Sequence, residues 1–167
     1  MGGQNVMLRS TFETIKKKVE ELEEELRKIP GELSQAYDTG GQWHDNPGYD
    51  FALERQKLLN SQLGTLRDQL MGKILIEETK INPSQICIGT SVEAKKLTTQ
   101  ELRIFIFVGP CDVIYQKEQE GVALVSPESP IAKAFLSKRR GDIAFVRLPS
   151  GVESWDILNI KAIKDLI

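Results

Sequence analysis

Residues 11–38 read TFETIKKKVEELEEELRKIPGELSQAYD, and their apolar side chains recur at steps of three and four. Residues 59–70 carry four leucines at the same steps. This spacing places the apolar side chains on one face of each helix, so that two such faces can seal one seam. Residues 40–49 between them read GGQWHDNPGY and contain few helix-forming residues. The pattern predicts an antiparallel α-helical coiled-coil hairpin with a polar tip at about residues 39–48.

Residues that cap or break helices set the ends of this hairpin. Residues 1–8 are expected to be loose, and the glycines after Thr39 end the outgoing helix. Asn46 is expected to be the N-cap of the returning helix, with Pro47 at the first helical position. We expect the returning helix to run to about Glu78.

The pattern changes to a period of two and short apolar runs after Asn82-Pro83. Strand pieces are predicted at residues 86–88, 91–94, 102–108, 112–115, 122–125, 143–148 and 153–163, with a short helix at 130–135. The prediction is an α+β protein with a hairpin domain over residues 1–81 and a C-terminal domain over residues 82–167. The second domain is expected to be a small antiparallel β-sheet with one short helix.

Charge is distributed unevenly along the chain. The formal net charge is −2, which excludes a protein that binds nucleic acid through overall basicity. Residues 10–79 hold nine Lys or Arg and fourteen Asp or Glu, whereas residues 80–167 hold twelve and ten. An acidic arm on a mildly basic body suits a partner with a positive channel or groove. Two solvated helix faces are the structural alternative.

The cysteine and histidine content argues against a disulfide-stabilised protein and against a histidine-rich metal protein. Cys87 and Cys111 lie among apolar residues and are expected to be buried thiols, not a disulfide framework. A single histidine, His44, excludes most histidine-rich metal sites, and no metal site is expected in the isolated protein. Residues 1–10 lack the apolar core of a signal peptide, so a cytoplasmic protein is expected.

Two motifs together resemble those of the bacterial Gre transcript-cleavage and elongation factors. The tip reads GQWHDNPGY at residues 41–49, where the family reads G-D-x-x-E-N-x-E-Y, and Ala52 and Gln56 follow as in the family. Residues 126–142 read SPESPIAKAFLSKRRGD, which matches the family pattern S-x-x-S-P-I-A-x-A-x-x-x-K-x-x-G-D. The resemblance covers about residues 11–163.

The resemblance implies an FKBP-like C-terminal domain that binds RNA polymerase at the rim of its secondary channel. The expected polymerase-binding residues are Ser129, Pro130, Ile131, Lys133, Lys138, Arg139 and Arg140. The hairpin would thread the channel, where two tip carboxylates help to hold the second Mg²⁺ of the polymerase. The polymerase then hydrolyses its own backtracked transcript, so the factor is not itself an enzyme. It would act as a monomer, have no cofactor of its own and contact nascent RNA and DNA only indirectly.

The first of the two tip acids of the family is missing from this chain. Its place is taken by Gln42 or by Gly41, depending on where the motif is aligned. Asp45 retains the second acid and is the candidate Mg²⁺ ligand, with Asp38 and Asp50 as potential substitutes for the first. A neutral amide oxygen is a weaker Mg²⁺ ligand than a carboxylate. Two functions therefore stay open: a factor that stimulates cleavage, and a cleavage-deficient regulator or inhibitor that occupies the channel.

Several of these residues also have structural explanations. Gln42, Trp43, His44 and Asn46 are candidate interaction residues at the tip, although Trp43 can equally fold back over the hairpin end. Phe51 is expected to pack at that end with Tyr49. The basic turn at residues 138–140 contacts the polymerase or RNA, or is only solvated. Ser129-Pro130 also has the form of a helix cap.

Two other classes of function fit the predicted fold less well. A prolyl isomerase of the FKBP type needs an aromatic-lined apolar pocket. The strand aromatics Phe105, Phe107, Tyr115 and Phe145 form no recognisable motif for such a pocket. A coiled-coil adaptor that dimerises through the hairpin needs a second apolar stripe, and the outer positions of the hairpin are mostly Glu, Lys and Gln.

Overall fold

The computed structural model describes residues 5–39, 46–115 and 121–166. The chain divides into two compact units, residues 13–71 and residues 1–12 with 72–167. This division differs from the predicted boundary after residue 81, because strand pairing places the N-terminal residues in the second unit. None of the helices in the described ranges is long and apolar enough to cross a membrane.

The first unit is the predicted helical hairpin, which the structure confirms. Helix α1 spans Arg9–Thr39, and helix α2 spans Pro47–Leu70. Helix α1 continues on both sides of Pro30. The buried apolar side chains of the hairpin are Ile15, Val19, Ile29, Ala52, Leu59, Leu63 and Leu66. All of them except Ala52 lie at positions that the sequence pattern assigned to the seam, so burial of one stripe accounts for the pairing of the helices.

Ion pairs between the helices show their antiparallel alignment. Arg55 of α2 contacts Glu25 at 3.2 Å and Glu32 at 3.0 Å. Arg67, further along α2, contacts Glu23, which lies earlier in α1, at 2.6 Å. All three pairs are at least partly exposed, so each contributes little to stability. We infer that they align the two helices and that the apolar seam provides most of the stabilisation.

The segment just before α1 and the segment just after α2 pair with each other as a two-stranded parallel sheet. Strand β1 is Val6–Leu8, and it pairs with strand β2, Ile74–Ile76. Two predictions were therefore wrong: the N-terminal residues are not all loose, and α2 does not run to Glu78. Gly72 adopts a φ of +67°, a conformation that favours glycine and that ends the helix.

The main sheet of the second unit has five strands in the order β5-β4-β3-β7-β6. The strands are β3 Thr90–Lys96, β4 Leu102–Phe107, β5 Val122–Val125, β6 Ile143–Leu148 and β7 Gly151–Ala162. The sheet is mixed, since β5 runs parallel to β4 while the other pairs are antiparallel. The sheet was predicted to be antiparallel throughout. This was wrong for β4 and β5, because the long connection between them allows a crossover that makes the two strands parallel.

Two further strand predictions were wrong because local hydrogen bonds compete with the sheet. Helix α3 spans Asp112–Tyr115, where a strand was expected, and the Asp112 amide donates to the carbonyl of Gly109 at 3.0 Å. The described part of the domain thus contains two short α-helices, because the predicted one is also present as α4, Pro130–Phe135. Ile86 lies outside the sheet and exchanges backbone hydrogen bonds with Ser137 and Lys138.

An aromatic cluster forms the centre of the main core. The rings of Phe105 and Phe135 lie 5.3 Å apart, and those of Phe105 and Trp155 lie 5.2 Å apart in an edge-to-face arrangement. Phe107 is also fully buried and lies 5.9 Å from Phe135. Because Phe135 belongs to α4, this packing fixes the helix against the sheet.

The buried carboxylate of Asp112 anchors strand β1 to the second unit. Its oxygens accept hydrogen bonds from the amide of Leu8 at 3.1 and 3.2 Å and from the amide of Gly109 at 2.7 Å. No Cβ fits at Gly109, where it would lie 2.1 Å from the carbonyl oxygen of Val6. Burial raises the pKa of the Asp112 carboxyl above its ordinary value of 3.8, against the opposing effect of these hydrogen bonds.

We expect Asp112→Ala to lower the free energy of unfolding by about 1–3 kcal/mol, because it leaves two buried amides without acceptors. Urea unfolding followed by circular dichroism measures the change. The matched control is Asp142→Ala, which removes an exposed carboxylate that accepts one amide hydrogen bond from Arg139 at 2.7 Å. Water can replace that acceptor, so the control loses less than about 1 kcal/mol. Equal losses in the two variants would contradict an anchoring role for Asp112.

The raised pKa of Asp112 also predicts a pH dependence of stability. The folded protein holds the Asp112 proton more tightly than the unfolded chain, so this group costs stability above its folded pKa. That cost disappears as the pH falls towards the unfolded value of 3.8. Asp112→Asn lacks the titration. The unfolding free energy of the wild type minus that of Asp112→Asn should therefore increase as the pH is lowered from about 7 to about 4. A constant difference over this range would show that Asp112 has an ordinary pKa.

Candidate functional site

The described end of the hairpin is held by Asn46. Its side-chain oxygen accepts a hydrogen bond from the amide of Tyr49 at 3.2 Å, as expected of an N-cap. Its side-chain nitrogen donates to the carbonyl of Ala36 at 2.6 Å, which ties the start of α2 to α1. Asn46 is 7% exposed, so its side chain serves the hairpin itself. The other tip candidates, Gln42, Trp43, His44 and Asp45, lie outside the described residues.

Exposed acidic and aromatic side chains flank this end of the hairpin. Asp38 lies in the last turns of α1 and Asp50 in the first turn of α2, and both are exposed. Tyr37 is 61% exposed. Phe51 is 68% exposed, so the expectation that it packs against the hairpin end was wrong. The buried face of α2 begins at Ala52, the next residue, which directs the Phe51 side chain outward.

The motif at residues 126–142 combines structural and exposed residues. The Ser129 hydroxyl accepts a hydrogen bond from the amide of Ala132 at 3.0 Å and caps α4, with Pro130 in the first turn. Ile131 is half-buried and packs against the main core. Ser129 and Ile131 thus set the position of α4, whereas Pro130 and Lys133 are exposed and accessible to a partner.

The basic turn follows α4 and has a fixed backbone. Ser137 adopts a φ of +69°, a strained conformation for a residue other than glycine. Its amide donates to the carbonyl of Ile86 at 2.9 Å, and the amide of Ile86 donates to the carbonyl of Lys138 at 2.8 Å. Lys138 is half-buried, while Arg139 and Arg140 are exposed. The structure therefore presents two of the three predicted basic side chains to solvent.

A shallow groove lies between α4 and β6. It has a volume of about 400 Å³ and is lined by Pro130, Lys133, Ala134, Phe145 and Arg147. Two of the predicted residues, Pro130 and Lys133, thus line the same groove as Phe145 and Arg147 from the sheet. Sequence reasoning missed the latter pair as partners of α4. The alternation in residues 143–148, with Ala144 and Val146 buried, was the available signal, since it assigns Phe145 and Arg147 to the outer face.

The strand aromatics do not line a common pocket in the described part of the chain. Phe105 and Phe107 are buried in the core and are at most 1% exposed. Phe145 lies on the opposite face of the sheet and is 60% exposed, and Tyr115 belongs to α3. This arrangement gives no support to a prolyl isomerase site.

Comparisons with known proteins match both halves of the chain. A family model described as "Transcription elongation factor, GreA/GreB, C-term" matches residues 81–162. Transcription elongation factor GreA of Thermoanaerobacter pseudethanolicus is 30% identical over 155 residues, which cover 90% of this chain and 95% of that protein. GreA of Pseudomonas syringae pv. tomato is 29% identical over 150 residues, which cover 85% of this chain and 92% of that protein.

A solved structure of Gfh1 from Thermus aquaticus is 20% identical and covers 96% of this chain and 100% of that one. The TM-score between that structure and this one is 0.42. The sequence matches are sufficient on their own, because they extend over the hairpin and the C-terminal unit alike. The chain belongs to the GreA/GreB family of transcription elongation factors.

Proposed function

We propose that this protein binds RNA polymerase as a monomer and acts on paused or backtracked elongation complexes through its hairpin tip. The observation that carries the proposal is the hairpin, held together by one apolar seam. Helix α2 has 24 residues and is therefore about 36 Å long, at about 1.5 Å per residue. A helix of this length keeps the two ends of the hairpin far apart, as entry into a channel requires.

The charge of the arm fits the same role. The outward positions of α1 carry Lys17, Glu20, Glu21, Glu24 and Lys28 together, with glutamate in excess over the whole hairpin. An apolar outer stripe, which a dimeric coiled coil would need, is not found on the described part of α1. An acidic, solvated arm is suited to a channel with positive walls.

The chemistry proposed for the tip is completion of a Mg²⁺ site that belongs to the polymerase. Mg²⁺ prefers oxygen ligands, which Asp45 supplies by sequence and the exposed Asp38 and Asp50 supply on the flanking turns. Among the described residues, no three His, Cys, Asp or Glu side chains converge to hold a metal. In this proposal the carboxylates act in trans on the metal site of the polymerase, and the polymerase hydrolyses its transcript. Nucleic acid would be contacted only within that complex.

A second candidate function follows from the missing acid. With Gln42 or Gly41 in its place, the tip supplies one fewer negative ligand than the family motif. A hairpin that enters the channel but binds Mg²⁺ weakly would occupy the site without supporting cleavage. The protein would then be a regulator or inhibitor of nucleotide addition.

We expect Asp45→Ala to abolish whatever cleavage the wild type stimulates, and Gln42→Asp to increase it by about 10-fold or more. The reason is that a carboxylate is a much better Mg²⁺ ligand than an amide, and even groups that only support a metal ligand change affinity by about 10–100-fold. The measurement is transcript cleavage by a halted, backtracked bacterial elongation complex in Mg²⁺. Asp68→Ala, on the exposed surface of α2 far along the chain from the tip, is the matched control.

The same assay separates the two candidate functions. Cleavage by the wild type that depends on Asp45 supports a working cleavage factor. Binding without cleavage, together with slower nucleotide addition, supports the regulator. A wild-type protein that does not bind polymerase in a direct binding assay rules out both.

A further inference from the structure

A small polar pocket lies on the central strands of the main sheet and shares no lining residue with the groove beside α4. Its volume is about 60 Å³. The residues that line it are Ser91, Glu93, Ile104, Asn159 and Lys161. They come from β3, β4 and β7, where the intervening residues Val92, Phe105 and Ile160 are buried in the core. Because side chains alternate along a strand, the pocket opens on the face opposite the aromatic core.

A β-bulge adjoins this pocket. Glu93 pairs with Asn159, but the next residue of β3, Ala94, pairs with Ile157. Leu158 of β7 is therefore left without a partner on β3. A bulge bends its strand and changes the direction of the side chains beside it, and bulges are frequent next to functional sites. The irregular pairing thus explains why a depression forms in the middle of a sheet.

The polar groups of the pocket are available to a ligand. Glu93 and Lys161 are exposed, and within the described part of the chain neither forms an ion pair. They are diagonal neighbours on β3 and β7, and such neighbours lie about 7–8 Å apart, which leaves room for a small molecule between the two charges. The side-chain oxygen of Asn159 accepts the amide of Ile160 at 3.0 Å, so its NH₂ group remains free to donate. Ser91, which is 5% exposed, adds a hydroxyl.

Apolar surface continues from the pocket along β4 and β5. Ile104 is 38% exposed, and Leu102, two residues earlier on β4, is 58% exposed. Val122 of β5 pairs directly with Ile104 and is half-buried. All three side chains lie on the face of the sheet that carries the pocket, because they follow the same alternation. An apolar group of a ligand held in the pocket would gain free energy by covering this strip.

We propose that this pocket binds a free α-amino acid with an apolar side chain, such as leucine, a role that goes beyond the proposed function. The carboxylate of the amino acid accepts hydrogen bonds from Lys161, Asn159 and Ser91. Its ammonium group pairs with Glu93, and its side chain packs on Ile104. One cation and one anion at opposite ends of the pocket select a zwitterion over a simple anion or the end of a peptide, each of which carries only one of the two charges.

The test is a titration of the full-length, isotope-labelled protein with L-leucine, followed by the NMR shifts of its backbone amides. We expect shifts at the pocket residues and a Kd of about 1 mM, because a small ligand in an open pocket gains little binding free energy. N-acetyl-leucine lacks the ammonium group and leucinamide lacks the carboxylate, so each should bind about 10-fold or more weakly than leucine. Glutamate should also bind more weakly, because its charged side chain would lie on the apolar strip.

Variants match each charged group of the ligand to one residue. Glu93→Gln should weaken leucine binding by about 10-fold and abolish the difference between leucine and N-acetyl-leucine. Lys161→Gln should weaken it similarly and abolish the difference between leucine and leucinamide. The matched controls, Glu128→Gln and Lys80→Gln, remove exposed charges elsewhere on the same unit and should bind leucine as the wild type does. All four residues are exposed, so the variants are expected to fold, which urea unfolding checks.

Three results would overturn the assignment of this pocket. The first is the absence of shifts at its amides in about 20 mM leucine, well above the expected Kd. The second is an equal response to acetate, which would show a site for any small anion. The third is unchanged leucine binding in both Glu93→Gln and Lys161→Gln. None of these measurements involves polymerase, so the proposed function is tested separately.

Discussion

The rest of this structure depends on the hydrogen bonds that the Leu8 amide donates to the buried carboxylate of Asp112. They fix β1 in place, and β1 leads without a linker into α1. Around them, Leu8 packs with Val108 and Ile163, so residues from the two ends of the chain meet at one point. The carboxylate is costly to bury, and its raised pKa records that cost. The fold tolerates the cost because two amides would otherwise be buried without acceptors.

Most of the fold could be predicted from the sequence, because its main elements carry a clear period. The apolar stripe predicted α1 and α2, and alternation predicted β4 and β6 within a residue or two. Strand β1 was missed because three residues are too short to show any period. The helix at Asp112–Tyr115 was missed because its cause is a side chain bonded to local backbone, which apolar patterning does not report. The parallel pairing of β4 and β5 depends on long-range register, which a single sequence does not specify.

The candidate site was predicted less completely, and the reason differs between its parts. The capping residues Asn46 and Ser129 were identified because capping is a local rule. Two residues of the family motif, Ser129 and Ile131, hold α4 in position. A match to the motif therefore does not by itself distinguish residues that stabilise the fold from residues that contact a partner. Phe145 and Arg147 become neighbours of the α4 residues only through the packing of α4 beside β6. A groove between two elements is a property of their packing, and no local pattern encodes it.

The discontinuous second unit has a consequence for the order in which the protein folds. The seam of the hairpin joins segments that follow one another directly in the chain, whereas Leu8 and Asp112 are 104 residues apart in sequence. Closing so long a loop is slow and entropically costly compared with pairing two successive helices. During synthesis, the hairpin can form as soon as its second helix leaves the ribosome. The N-terminal strand must wait until more than half of the chain has followed. Strand β1, although it is synthesised before the hairpin, is thus among the last elements to reach its final position.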